Sequence, residues 1–337
     1  MHAQTTQLAF VIPCFNEEEI LPATGTRIAE LIARLADARK ISASSRVYFV
    51  DDGSSDGTWY VISEFVRSGL PVVGIKLSGN RGQQNAVLAG LLAAEGQAIV
   101  SIDADLQDDL NAIEQMIDRF HDGCDIVYGV RKGRVSDSMF KRFTAAFFYR
   151  FVAVIGVRLI RNHADCRLMS RRAVEALREF RESNLFLRGI VPLLGFRSCI
   201  VEYDRLRRTA GKSKYPLRKM FALAADGITS FSVVPLRLIG LIGLMVFVSA
   251  MAVSIWVLWT KFFTDRALPG WASIVLPMYF LGGVQLLATG IIGEYLARIY
   301  IETKARPRFI VEQIIGESPA SSQETALAAA TDPTPTR

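Results

Sequence analysis

With 337 residues the chain has room for one large domain or two small ones, and its 50% hydrophobic content is high for a purely soluble protein. The formal net charge of +6 is unevenly placed, so position matters more than the total. Four scattered cysteines (Cys14, Cys124, Cys166, Cys199) without a CxxC pair, and only three histidines (His2, His121, His163), argue against a zinc site, a disulfide framework or a histidine metal centre, and predict reduced thiols.

The opening "MHAQTTQ" lacks a basic region, and the apolar run after it stops at Pro13, so no secretory signal is expected. Short apolar runs then alternate with helical stretches. "LAFVI" (8–12), "RVYFV" (46–50), "PVVGIKL" (71–77), "AIVSI" (98–102) and "DIVYGV" (125–130) read as strands, with helices starting near Glu17, Thr58, Gly82 and Leu110. This alternation predicts an α/β domain with a mostly parallel sheet covered on both faces. Ligands of such sheets bind beyond the carboxyl ends of the strands.

The first four strands each run into a polar loop. After the first comes "PCFNEEEI", where Asn16 is expected to cap a helix whose first turn holds Glu17, Glu18 and Glu19, as the helix dipole favours. After the second comes "DDGSSDGT", and after the third "SGNRGQQNAVLAG" opens a helix. The fourth leads into "DADLQDD", four aspartates in seven positions. Asp108 and Asp109 are expected in a loop or first helical turn, where negative charge is favoured. Asp103 and Asp105, one residue apart, reach one side of a cleft, and two hard oxygen ligands so placed suit Mg²⁺ or Mn²⁺ together with phosphate oxygens. No GxGxxG opens a helix and no GxxxxGK[ST] occurs, which excludes a dinucleotide oxidoreductase and a P-loop ATPase.

Further along, Phe140, Phe143, Phe147, Phe151 and Val154 recur at helical spacing beside Lys141, Arg142 and Arg150, a pattern suited to an interfacial helix. Ordinary core or subunit packing is the alternative. A second amphipathic segment, 216–237, leads into the uncharged stretch between Arg237 and Lys261. Another uncharged stretch lies between Arg266 and Glu294, its helix beginning near Ser273 with Pro277 in the first turns. Trp256, Trp259, Trp271 and Tyr279 cluster toward the connecting loop, as interfacial aromatics do. Both stretches are long enough to span a hydrocarbon layer of about 30 Å. Basic residues crowd the outer flanks, from Arg205 to Lys219 and from Arg298 to Arg308, so both ends are expected in the cytoplasm. The expected organisation is a catalytic domain (1–215), a juxtamembrane helix (216–237), two transmembrane helices (238–293), a cytoplasmic segment (294–316) and a disordered tail (317–337).

Taken in order, "VIPCFNEEE", "VDDGSSDGT", "NRGQQNAVLAGL", "DADLQD", "ADCRLMSRRAV", "RTAGKSKYPL", "GITSFSVVPLRL" and "GEYLARIYIETKARPRFI" resemble the family-2 glycosyltransferases of GT-A fold. Within that family the chain is similar to the polyprenyl-phosphate glycosyltransferases, over residues 8–310. The resemblance implies inverting, metal-dependent transfer of one sugar from a nucleotide-diphosphate sugar, UDP-glucose first, to a membrane polyprenyl (undecaprenyl) phosphate in a bacterial inner membrane. UDP-GlcNAc, GDP-mannose and UDP-aminoarabinose are alternative donors. It also implies roles: Pro13, Phe15, Asn16, Glu17 and Asp52 lining base and ribose, Arg81 and Gly82 near the nucleotide, and Asp103, Asp105 and Gln107 holding metal and diphosphate. Arg131 would face the phosphates, Asp165 would sit on the acceptor side, and Arg208, Ser213 and Lys214 would contact phosphates from a loop. Self-association into a homo-oligomer is expected, and nucleic acid is not among the expected partners. The rivals fare worse: no Trp is preceded by Arg, as the QxxRW of a processive polysaccharide synthase requires, and a membrane scaffold or translocator has no need of an acidic rim.

Overall fold

The computed structural model describes residues 5–131, 163–180, 182, 187–204 and 271–316, with 239, 241–246, 248, 249, 252, 255, 259 and 263. The expected roles of Arg208, Ser213 and Lys214, the helix of residues 140–154, the juxtamembrane segment 216–237 and the tail 317–337 lie outside these residues.

The described residues up to 204, with 307–316, belong to one compact unit. Its elements are β1 (Leu8–Cys14), α1 (Leu21–Asp37), β2 (Arg46–Asp51), α2 (Thr58–Arg67), β3 (Val72–Leu77), α3 (Gln83–Ala93), β4 (Ala98–Ser101), α4 (Asn111–His121), β5 (Ile126–Arg131), β6 (His163–Ser170), α5 (Arg171–Arg178), α6 (Leu187–Leu193), β7 (Ser198–Tyr203) and, after the second unit, β8 (Val311–Ile315). The strands form one sheet in the order β7-β5-β6-β4-β1-β2-β3-β8. The five expected strands are present, and β4-β1-β2-β3 are parallel. The sheet is nevertheless mixed, because β6 runs antiparallel to both β4 and β5, and β8 antiparallel to β3.

Continuous apolar runs make the central strands buried on both faces, as parallel sheets require: all seven residues of β1 are buried. On one face Phe10, Ile12, Phe49 and Val100 meet α1 through Leu21, Ile28, Leu31 and Leu35, which recur at helical spacing. On the other, α3 lies so close that a Cβ on Gly90 would stand 2.4 Å from Val11 Cγ1 and 2.8 Å from Val50 Cγ2. Because β5 parallels β4, and β7 parallels β5, the carboxyl ends of β1 to β5 and β7 share one rim.

Three expectations are corrected. The first helix begins at Leu21, not near Glu17: Pro22 occupies its first turn, and Glu17 to Ile20 form a turn closed by Ile20 N to Glu17 O (3.0 Å). Cys124 and Cys199 are joined by a disulfide with Cα atoms 6.0 Å apart, so only Cys14 and Cys166, both buried, are free. Their 75-residue separation hides a proximity created by the β5–β7 pairing. Third, no strand was expected in the 294–316 segment, yet part of it returns to the sheet as edge strand β8, with Lys76 on Glu312 at 3.0 Å.

The second unit contributes α7 (Trp271–Thr303), 33 residues with Pro277 in its second turn. Ile274, Met278, Leu281, Leu286, Ile292 and Leu296 on it are exposed. Within it, Val284–Thr303 is long and apolar enough to cross a membrane by length and composition. The described residues between 239 and 263 are helical and expose Leu241, Leu244, Val248, Ile255 and Trp259.

Gly90→Val is expected to destabilise the sheet–α3 contact by about 1–3 kcal/mol through overpacking. Gly79→Ala, whose Cβ meets nothing within 4 Å, should stay within about 0.5 kcal/mol of wild type. Thermal unfolding of the detergent-solubilised chain checks both.

Candidate functional site

Four loops and the ends of three further strands meet at the carboxyl rim. Two loops are locked together at the first. Asn16 adopts a left-handed φ of 55°, which asparagine tolerates. Its backbone N–H donates to Ser54 Oγ (3.0 Å), and its side-chain oxygen accepts from Ser55 N (2.9 Å). Glu17 N donates to Thr58 Oγ1 (2.9 Å). Glu18 accepts from Gly57 N (2.9 Å), so this acid serves the start of α2 rather than its own helix, a correction to the expected cap. Pro13 is buried in β1 and Phe15 is exposed just beyond it.

The "DDG" turn grips the next loop. Asp52, buried, accepts from Arg81 N (2.7 Å) and Gly82 N (2.8 Å). Burial raises its pKa, and those two amides oppose the rise. Gly53 has φ +69°, and a Cβ there would lie 2.6 Å from the Gly79 carbonyl carbon, so glycine alone fits this approach. Gly82 (φ +88°) then starts α3. The side chain of the next residue, Gln83, donates to Asp103 Oδ1 at 2.7 Å. Gln83 was not anticipated, since an uncharged amide at a helix start carries no charge pattern.

The aspartates divide by partner. Asp103 is bonded by Gln83, and Asp105 Oδ2 accepts from Gln107 Nε2 (2.6 Å); Leu106 between them holds a left-handed φ of 43°, a strained conformation for leucine. Asp108 is buried, and its Oδ1 accepts from Arg131 Nη2 (2.9 Å) and Tyr203 Oη (2.6 Å). An ion pair, rather than the α4 dipole, therefore makes Asp108 tolerable. Asp109 caps Asn111 N at 3.0 Å. Burial opposes the charge on Arg131, but Asp108 outweighs it and the guanidinium pKa is raised. Asp103 is pushed up to about 7 by burial, then by Asp165, Asp108 and Asp105.

Asp165, on β6, receives both hydrogen bonds of a fork: Arg188 Nε to Oδ1 (3.0 Å) and Nη2 to Oδ2 (2.9 Å). Arg167, 1% exposed, lies 3.5 Å from Asp165 Oδ1. Arg188 stands in "LFLRGI" on α6 and was not anticipated; nothing in that apolar run marks it. The structure thus brings Asp103, Asp105, Gln107, Arg131 and Asp165 to one rim, with Asp52, Arg81 and Gly82 beside them. Among the described residues no group of three or more His, Cys, Asp or Glu forms a metal cluster. The expected set needs only two carboxylates and an amide oxygen. It fits a hard divalent cation, because crowded acids gain from a positive charge that hydrogen-bonding amides do not supply.

Residues 9–178 match the family model "Glycosyl transferase family 2". The chain is similar to an uncharacterized glycosyltransferase, YkoT, of Bacillus subtilis, at 47% identity over 90% of this chain and 91% of the relative. It is similar to a prophage bactoprenol glucosyl transferase homolog of Escherichia coli at 37% identity, covering 91% and 99%, and to the bactoprenol glucosyl transferase of Shigella phage SfX at 36%, covering 91% and 99%.

Asp52→Asn replaces one acceptor by an NH₂ facing backbone N–H groups. Amide hydrogen exchange at Arg81 and Gly82 is expected to quicken by about tenfold or more, as loss of a charge-assisted bond implies. Unchanged protection would contradict the role assigned to Asp52.

Proposed function

Since the chain belongs to the family-2 glycosyl transferases, of the polyprenyl-phosphate kind, we propose that it transfers one sugar, glucose from UDP-glucose, to undecaprenyl phosphate at a bacterial inner membrane. The observation that carries this reading is the rim itself, where an acidic loop, Asp103 to Asp108, stands between the interlocked polar loops after β1–β3 and arginines bonded to Asp108 and Asp165. The curated relatives named for bactoprenol glucosyl transfer support the acceptor and the sugar.

In this reading Phe15, Asn16, Glu17 and Asp52 border base and ribose, with Pro13 beneath them. Asp52 shapes the Arg81–Gly82 turn that faces the nucleotide. Asp103, Asp105 and Gln107 would hold Mg²⁺ or Mn²⁺, which when bound neutralises charge on the departing diphosphate. An acceptor phosphate oxygen bonds to C1 of the sugar as the C1–O bond to the β-phosphate breaks, its electron pair leaving with the nucleoside diphosphate. Attack from the opposite face inverts C1. Arg131, kept charged by Asp108, adds electrostatic stabilisation as that charge develops. Arg208, Ser213 and Lys214 follow β7 in sequence and in this reading contact phosphates. The acceptor needs no strong base, because a phosphate monoester with a second pKa of about 6 is mostly ionised at neutral pH.

A two-helix hairpin serves the lipid acceptor. β7 and β8 belong to one sheet, so the chain between Tyr203 and Val311 leaves and returns on one side of any membrane. That supports an even number of crossings, and the uncharged stretches between Arg237 and Lys261 and between Arg266 and Glu294 are the two proposed spans. Arg and Lys on the outer flanks put that side in the cytoplasm.

Asp105→Asn should retain the fold and lower metal-dependent transfer by orders of magnitude, as the loss of several kcal/mol of charge stabilisation implies. Near wild-type turnover would refute the assignment. In a cysteine-free background, Cys at Leu268 should react with an impermeant thiol reagent on intact cells and Cys at Ser322 should not; the reverse pattern would invert the topology.

A further inference from the structure

Asp165 occupies the place where a general base would be sought, and its bonding argues for a different role. Both its oxygens accept from Arg188, and Arg167 lies behind it. Arg167 is 1% exposed, and its Nε and Nη1 have no hydrogen-bond partner among the described residues. One carboxylate between two guanidinium groups leaves a local charge of +1. Arg188 is the outward member, with its side chain 42% exposed against 12% for Asp165. Burial opposes its charge, Asp165 more than restores it, and Asp103 and Arg131 both act on it electrostatically, so it belongs to the same rim.

Two further bonds fix where Arg188 stands. Leu187 N donates to Gln84 Oε1 (3.2 Å), tying the first residue of α6 to α3. The adjacent Gln83 holds Asp103. The side chain that anchors the helix of Arg188 and the side chain that anchors the first acid of "DADLQD" are thus consecutive residues. In the sheet, β6 lies on the side of β4 away from β1-β2-β3. A phosphate bound at Arg188 would therefore lie beside Asp165 of β6, across β4 from β1-β2-β3 in the strand order.

We propose that Arg188 binds the phosphate of the lipid acceptor and that Asp165 is its positioning residue, removing no proton. Resting on the polyprenyl-phosphate reading above, this assigns the acceptor half of the site. The guanidinium fork spends Nε and Nη2 on Asp165, which orients the remaining N–H groups toward the rim. The intervening cation also lets an anionic acceptor approach a carboxylate that would otherwise repel it. A donor β-phosphate offers the same chemistry, so the test separates the two.

Full-length wild type, Arg188→Ala, Arg188→Lys, Asp165→Asn and the Arg188→Ala/Asp165→Asn double variant are compared in detergent. Acceptor KM and kcat are measured with undecaprenyl phosphate, and Kd for UDP with divalent metal, which also reports folding. Arg188→Ala is expected to raise acceptor KM about 10–100-fold, the loss of charge-assisted bonds, with UDP affinity within about twofold of wild type. Arg188→Lys should fall between, and the double variant should match Arg188→Ala within about threefold, because Asp165 acts through Arg188. Parallel loss of UDP affinity in the soluble, folded Arg188→Lys variant would move Arg188 to the donor and overturn the proposal. So would a double variant much worse than Arg188→Ala, which would give Asp165 a role of its own. A wild type that makes no lipid product contradicts the acceptor reading itself; a wild type that does, beside an unaffected Arg188→Ala, contradicts only the assignment of Arg188.

Discussion

Four carboxylates gathered at one end of a buried sheet repel one another, and most of the site's architecture answers that repulsion. Asp108 is neutralised by Arg131 and tied to Tyr203. Asp165 is neutralised by Arg188 with Arg167 behind it. Asp103 and Asp105 are bonded instead by the carboxamides of Gln83 and Gln107, which orient a carboxylate without cancelling its charge. The rim thus has two acids paired with arginines flanking a pair bonded by amides, and burial first, then the neighbouring carboxylates, raise the pKa of Asp103. A divalent ion carrying a diphosphate is the natural complement of such a pair.

Much of this was legible in the sequence. Apolar runs bounded by polar residues located β1 to β5, because strands buried on both faces have no alternation to confuse with solvent-facing ones, whereas β6, "HADCRLMS", mixes polar and apolar residues and was not anticipated. The rule that ligands gather beyond strand ends then pointed to the loops that the structure brings together at one rim. Edge strand β8 was missed because "VEQII" carries two polar residues and is half exposed. The first helix was begun too early because Glu17 to Glu19 look like a dipole-stabilised first turn, whereas Glu18 reaches across to Gly57. Such cross-loop bonds have no local signature.

The charge partners were the least legible part. Asp108 and Tyr203 are 95 residues apart, and Asp165 and Arg188 are 23 apart on different elements. Chain order cannot pair them; the antiparallel insertion of β6 between β4 and β5 does. In the proposed reading, that insertion also separates a donor side at β1–β3 from an acceptor side at β5–β7, with the acidic loop of β4 at the boundary. Gln83 and Gln84 are consecutive, so that one turn of α3 holds both Asp103 and the first residue of α6.

The central claim is that this rim moves one hexose onto a membrane phosphate with a divalent ion at Asp103 and Asp105. The most direct test is the mass of the lipid after incubating the purified chain with UDP-glucose and undecaprenyl phosphate. The account predicts a lipid heavier by one hexose, formed with Mg²⁺ or Mn²⁺, abolished by a chelator and restored by added metal. A lipid left unmodified by UDP-glucose and by every alternative donor, or one glycosylated equally well in excess chelator, would contradict it.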